Sequence, residues 1–393
     1  MSLKGFQFSV VEAAVKKPGR KDLALIWSDT PAVAAAVFTT NAVKAAPVLL
    51  SMERIAGGRA QALVVNSGNA NACTGSQGMA DAREVTRLVA EGLGIDEHLV
   101  QVCSTGVIGV PLPMGRMRGA LPGLLAGRGN ATLDDLASAI MTTDTFPKTS
   151  IREGQIGGCS YTVVGTAKGA GMIMPNMATM LAYVLTDAAV DPEWLNGLFR
   201  AAVDRSFNAI TIDGDTSTND TCLLMANGAA GNQQIGPDSP DAGAFAAVLD
   251  DVLLDLAKQI VKDGEGATKF VEICITGAAD DADAKRVALA VANSSLVKTA
   301  FYGQDANWGR IFCAVGYSGA QVDPNRLSLW FDDVCMAKHG VFAGGDAETQ
   351  GTAVLKQKEL RVTVDLGLGG GQATVYTSDL SHEYVSINAD YRT

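Results

Sequence analysis

The chain has 393 residues, 47% hydrophobic and 19% charged, the balance of a globular protein with length for one large domain or two to three ordinary ones. A formal net charge of −11 argues against a nucleic-acid groove or an anionic membrane surface as the main partner. No apolar run approaches bilayer length and the opening MSLKGFQFSV lacks a secretory core, so no membrane anchoring and a cytoplasmic location are expected. The seven cysteines are odd in number, widely spaced and mostly set in apolar segments, which predicts reduced, buried thiols and no disulfide.

In chain order, Gln61–Val65 reads as a buried strand running into an Asn/Gly loop, Asn66–Asn71. A helix follows, with Ala82, Val85, Leu88 and Val89 on one face, stopped at Gly92–Gly94. His98–Cys103 predicts a short strand leading into Ser104–Gly109, and Thr132–Asp135 a capping box for a helix ending near Met141. Thr142–Lys148 reads as a loop too rich in hydroxyls for the core. Asp191-Pro192 opens a helix with Leu195, Leu198, Phe199, Ala202 and Val203 as its apolar stripe. A longer helix spans about Asp241 to Lys262, followed by an alternating strand through Val271, Ile273 and Ile275. Leu360–Val364 and Ala373–Tyr376 flank a Gly-rich turn and read as a hairpin.

The chemical inventory is sparse. The histidines are His98, His339 and His382; none forms a zinc spacing, and there is no CxxC, no G-x-S-x-G elbow and no phosphate-binding P-loop. A metal site is therefore not expected, and a transferase or hydrolase would need a base other than histidine. In the run Lys168–Leu181 two readings of Thr179 stand open. It is either an ordinary strand former or a nucleophile that attacks the Ala178 carbonyl, so that hydrolysis of the resulting ester leaves Thr179 as a new chain start. In the second case its freed α-amine, with a reference pKa of about 7.7–8.0, supplies the missing base.

This run, Lys168-Gly-Ala-Gly-Met-Ile-Met-Pro-Asn-Met-Ala178-Thr179-Met-Leu, resembles the self-cleavage signature of the glutamate N-acetyltransferase/ornithine acetyltransferase family of arginine biosynthesis. Further landmarks follow in the family's order: Ser67–Gly75, Ser104–Gly109, Thr142–Lys148, Ser206–Asp213, Asp263–Thr268, Asp305–Arg310 and Ile387–Thr393. The resemblance spans essentially the whole chain and favours the nucleophile reading.

It implies an α+β fold of mixed β-sheets layered with helices, an N-terminal-nucleophile-like sandwich. It implies two chains, 1–178 and 179–393, cut between Ala178 and Thr179 and held as a heterotetramer. Thr179 would take the acetyl group from N-acetyl-L-ornithine and pass it to L-glutamate by ping-pong kinetics, with no cofactor and with acetyl-CoA as a further candidate donor. Thr105 and Gly106 match the family's oxyanion pair. Thr142, Lys168, Thr179, Glu265, Asn388 and Thr393 match its substrate-binding positions. The roles of Ser67–Asn71 and Asp305–Arg310 stay open between pocket and turn. Two rivals are an amidohydrolase or aminopeptidase of the same architecture and an amino-acid-binding regulatory protein that never cleaves.

Overall fold

The computed structural model describes residues 3–174 and 180–390, and the chain divides into two compact units. The first gathers the chain up to Asn208 together with Asp215–Ile260; the second gathers Ala209–Gly214 and the chain from Val261 to Arg392.

The first unit begins with β1 (Phe6–Val11), β2 (Leu23–Phe38), α1 (Ala46–Ile55), β3 (Arg59–Asn69), α2 (Gly75–Leu93) and β4 (Val100–Val107). It continues through α3 (Met114–Ala126), α4 (Leu133–Ile140), β5 (Lys148–Ile156), β6 (Cys159–Lys168), β7 (Leu181–Thr186) and α5 (Pro192–Arg205). After β8 (Ile210–Thr211), which belongs to the second unit, come β9 (Thr221–Ala226) and α6 (Ala242–Lys262). The second unit then runs through β10 (Phe270–Ala278), α7 (Asp281–Ala292), α8 (Ser295–Tyr302), α9 (Trp308–Gly316), β11 (Ser328–Phe331), β12 (Val334–Lys338) and β13 (Val341–Phe342). It ends with α10 (Ala347–Leu355), β14 (Glu359–Asp365), β15 (Gly371–Ser378) and α11 (His382–Asp390).

The sheet of the first unit has the order β4-β3-β2-β9-β7-β6-β5, with β1 added on β2. It is mixed, since β3–β4 and β7–β9 pair in parallel and the other neighbours antiparallel. The period of two along β2 sorts side chains to two cores. Leu23, Leu25 and Trp27 join Val64, Val85, Val89 and Met117 on one face, while Ala24 and Ile26 join Leu63, Leu136, Ile140 and Tyr183 on the other. Helices α2 and α3 thus cover the first face and α4 the second, giving the layered α+β architecture expected from the sequence.

The second unit is built on a sheet of order β13-β12-β11-β14-β10-β15-β8. Val271, Ile273 and Ile275 of β10, with Val362 and Val364 of β14, meet Val287 and Val291 of α7 and Phe301 of α8 in a separate core.

Local signals were realised closely. Thr132 and Asp135 form a reciprocal capping box on α4, whose C-cap is Met141. The Asp191 side chain accepts from Trp194 N at 2.9 Å with Pro192 in the first turn of α5.

Several expectations are corrected. β14 and β15 do not form a hairpin: β10 lies between them, parallel to β14 and antiparallel to β15. The Gly-rich segment instead passes the end of β10, where Leu368 N and Gly369 N both donate to Gly277 O. β3 runs on to Asn69 rather than stopping before the Asn/Gly segment. Thr142–Lys148 is not solely a solvated loop, because the side chains of Asp144 and Lys148 are fully buried as an ion pair at 2.7 Å. Of the cysteines, all free, only Cys103 and Cys222 are buried, while Cys73 and Cys313 are exposed. No described helix is long and apolar enough to cross a membrane.

Candidate active site

Parallel strands β3 and β4 carry Ser67, Gly68 and Asn69 alongside Thr105 and Gly106, with a register shift at Gly68/Asn69. Gly106 has φ +134°, and a Cβ there would lie 2.3 Å from Gly68 C and 2.5 Å from Asn69 N. Only glycine fits this close backbone approach. Thr105 beside it is buried.

The Ser67–Asn71 motif spends its side chains on holding this corner. Ser67 Oγ donates to Ala139 O at 2.7 Å, Ser104 Oγ to Asn66 Oδ1 at 2.6 Å, and Asn69 Nδ2 to Val110 O at 3.0 Å. These bonds fix the turn that follows β3 beside Thr105 and Gly106. In Asp305–Arg310, Asn307 Oδ1 accepts from Arg310 N and caps α9.

A second cluster lies at the end of β6. Asp144 Oδ1 accepts from Lys148 Nζ and from Gly169 N, both at 2.7 Å, while Oδ2 accepts from Thr142 N at 3.0 Å. Asp144 thereby ties the Thr142 backbone to the Lys168-Gly169 segment. Burial pushes its carboxyl up, but the ammonium groups of Lys168 and Lys148 outweigh burial and hold it down at about 2. Lys168, itself buried, closes β6 and pairs in register with Leu181, the first residue of β7.

The third cluster precedes β9. Asn219 Nδ2 donates to Ala70 O at 2.7 Å and to Ser104 O at 2.9 Å, so it grips the carbonyl next to Thr105. Adjacent Asp220 accepts from Met180 N through Oδ1 at 2.8 Å. Thr221 N closes the same contact by donating to Met180 O at 3.1 Å. The Asn219-Asp220 dipeptide thus links the residue before Thr105 to the residue after Thr179. Asp220 is fully enclosed, and burial pushes its carboxyl well above the ordinary value despite Met180 N–H, Lys168 and the Thr39 and Ser217 hydroxyls. Its Oδ2 has no hydrogen-bond partner.

In the second unit Asn388 Nδ2 on α11 donates to Glu265 Oε2 at 2.8 Å. The Glu265 loop is held by Ser381 Oγ, which donates to Gly266 O at 2.6 Å, and by Asp379, whose Oδ1 accepts from Thr268 N at 2.8 Å. The sequence-expected residues therefore fall into Thr105, Gly106, Thr142 and Lys168 in the first unit, and Glu265 with Asn388 in the second. Ala178, Thr179 and Thr393 lie outside the described residues.

Sequence reasoning missed Asp144, Asn219 and Asp220. A signal for the last was present: an acid directly before the apolar strand Thr221–Ala226 must be buried with its neighbours. Among the described residues no group of three or more His, Cys, Asp or Glu could hold a metal ion.

Residues 7–393 match the ArgJ family. The chain is 70% identical over 393 residues to the arginine biosynthesis bifunctional protein ArgJ of Geobacter sulfurreducens, covering all of both chains. It is 56% identical, again over the full length of both, to the protein of that name from Syntrophotalea carbinolica. Among solved structures, the Bacillus halodurans arginine biosynthesis bifunctional protein argJ matches with a TM-score of 0.52 and 44% identity, over 53% of this chain and 98% of that one.

Proposed function

This chain belongs to the ArgJ family, and on that premise we propose that Thr179 carries an acetyl group from N-acetyl-L-ornithine to L-glutamate. The protein is an acyltransferase of arginine biosynthesis. The precursor first cuts itself: Thr179 Oγ1 attacks the Ala178 carbonyl, the amide nitrogen leaves, and water hydrolyses the ester to give a carboxylate on Ala178 and a free amine on Thr179. That amine then takes the hydroxyl proton as Oγ1 attacks the acetyl carbonyl of N-acetylornithine. Ornithine departs with the proton, and the amine of glutamate attacks the acetyl-Thr179 ester to release N-acetylglutamate.

Each attack develops an oxyanion, for which the Thr105 hydroxyl and Gly106 N–H are the proposed donors; one such donor is commonly worth about 2.7–4 kcal/mol. The two substrates share an α-carboxylate, for which Lys168 is the proposed partner, with Thr142 and the residues Asn388 and Thr393 bonding the amino-acid backbone. Glu265 suits the cationic side chain of ornithine. The chemistry calls for no cofactor. Acetyl-CoA is the second donor we assign, in keeping with the word bifunctional in the relatives' names.

The observation that carries this reading is the Asn219-Asp220 bridge between Ser104 O and Met180 N, which supports a single working site around Thr105 and Thr179. The Bacillus halodurans chain is matched over nearly all its length by about half of this one, the share that a fragment starting at Thr179 would occupy.

The test is a denaturing gel with N-terminal sequencing. Wild type is expected as two bands, one beginning TMLAYVLTDA. Thr179→Ala is expected as a single uncut band without transferase activity, and a Thr179→Ala protein that still split at this bond would refute the mechanism.

A further inference from the structure

The loop from β1 to β2 brings to the first-unit site a cation that the chemistry above does not use. Its course is anchored: Asp22 accepts from Ala13 N at 2.7 Å and from Val15 N at 2.6 Å, and Arg116 Nη1 donates to Ala14 O at 2.6 Å. The loop packs on the strand corner that holds Gly106. A Cβ on Gly68, where φ is +99°, would lie 2.9 Å from Lys16 Cβ and 3.3 Å from Lys16 N, so a glycine at 68 lets the loop come this close.

From this loop the half-buried Arg20 reaches two separate parts of the site with a single nitrogen. Its Nη2 donates to Ser67 Oγ at 3.0 Å, to Met141 O at 2.6 Å and, at the longer distance of 3.3 Å, to Ala139 O. Ser67 pairs in register with Thr105, and Gly68 after it with Gly106. Met141 O belongs to the peptide unit whose N–H is that of Thr142, and this N–H donates to Asp144 Oδ2 at 3.0 Å. A peptide unit is planar and rigid. Arg20 and Asp144 therefore grip both polar ends of the unit that leads into Thr142.

A plainer role for Arg20 is to cap α4. That helix has no basic residue in its last turn, and a cation beside its final carbonyls is favourable. Capping accounts for the bonds to Ala139 O and Met141 O. It does not account for the bond to Ser67, which lies on β3.

We propose that Arg20 is a positioning residue that sets the spacing between the Thr105–Gly106 corner and Thr142, by holding Ser67 and the Met141 carbonyl on one guanidinium. This rests on the oxyanion and substrate-binding roles given above to those three residues. Acetyl transfer needs the amino-acid backbone on Thr142 and the developing oxyanion on Thr105 and Gly106 at the same moment. A misplacement of about 1 Å between such groups costs rate by about a hundredfold, and binding much less.

The experiment compares cut, folded Arg20→Ala with wild type. Its kcat is expected to fall roughly tenfold to a hundredfold, with KM for N-acetylornithine and for glutamate within about threefold. Methylguanidinium, which refills the place of the lost head group, is expected to restore kcat about fivefold or more in the variant and to leave wild type unchanged. Adding Ser67→Ala to Arg20→Ala is expected to lower kcat no further, because the two residues act through one contact. A helix cap alone would lower stability in urea without changing kcat per folded molecule.

The proposal is overturned if folded Arg20→Ala transfers at the wild-type rate, if methylguanidinium leaves its loss unchanged, or if the two substitutions add in full. Should Arg20→Ala be recovered unfolded or uncut, Ser67→Ala alone takes its place, since it breaks the contact while the Met141 carbonyl keeps its cap. It is expected to lose kcat roughly tenfold, and Ser67→Ala at the wild-type rate overturns the proposal. Thr105→Ala separates the two claims. Unchanged kcat in Thr105→Ala removes the oxyanion reading, whereas a slow Thr105→Ala beside a wild-type-like Arg20→Ala removes only the role of Arg20.

Discussion

Gly106 is the residue at which backbone geometry and proposed chemistry meet most tightly. Its φ of +134° and the 2.3 Å approach of a notional Cβ to Gly68 C leave no room for a side chain. Gly106→Ala is expected to cost about 1–3 kcal/mol in backbone strain and, by displacing the amide, about a hundredfold in kcat. Denaturant titration and steady-state kinetics on the cleaved protein check both figures. Thr105→Ala should lower kcat by a similar factor with KM nearly unchanged, since an oxyanion donor acts in the transition state.

Asp144 makes a different claim, about acid. Its folded-state carboxyl sits at about 2 against an ordinary 3.8, so its contribution is present above pH ~4 and is lost as pH falls through ~2. That contribution is on the order of 2 kcal/mol. Wild type should therefore lose stability relative to Asp144→Asn between about pH 4 and pH 2, as followed by urea unfolding at each pH. None of these three sites was equally plain in the sequence. The glycine and threonine stood in a readable motif. Asp144 was hidden because a run of hydroxyls looks solvated until Lys148 is seen buried against it.

Among the elements, those fixed by local chemistry were legible and those fixed by distant partners were not. The Thr132/Asp135 box and the Asp191-Pro192 start announce α4 and α5 within a few residues, because caps satisfy backbone groups of the same turn. Losing the Thr132 cap by Thr132→Ala should destabilise the protein by about 1 kcal/mol, read from thermal unfolding. β14 and β15 show the limit. They flank a Gly-rich segment as hairpin strands would, yet β10 occupies the place between them. No local signal around Gly367–Gly371 reveals a strand some ninety residues earlier in the chain. Asn388 is a similar case: read alone it belongs to a frayed tail, but on α11 it donates to Glu265.

Across the first unit as a whole, the strand order would hold together a chain cut at the proposed bond. The bond between Ala178 and Thr179 lies in the connection from β6 to β7, and the fragments on either side of it interleave. β7 and β9 of the later fragment sit between β2 and β6 of the earlier one. Separating them would break two strand interfaces and open the core shared by Leu181, Tyr183, Leu223 and Ile26. The fragments are accordingly expected to co-elute in native gel filtration and to part only in denaturant; free fragments in native buffer would contradict this.

The central claim is that Thr179 itself carries the acetyl group between two amino acids. It is tested most directly by mixing the cleaved protein with N-acetylornithine alone, quenching with acid and weighing the fragments. The account expects the fragment beginning at Thr179 to gain the mass of one acetyl group, and to lose it on addition of glutamate as an equal amount of N-acetylglutamate forms. An unmodified fragment, or acetate released at the same rate with and without glutamate, would contradict it.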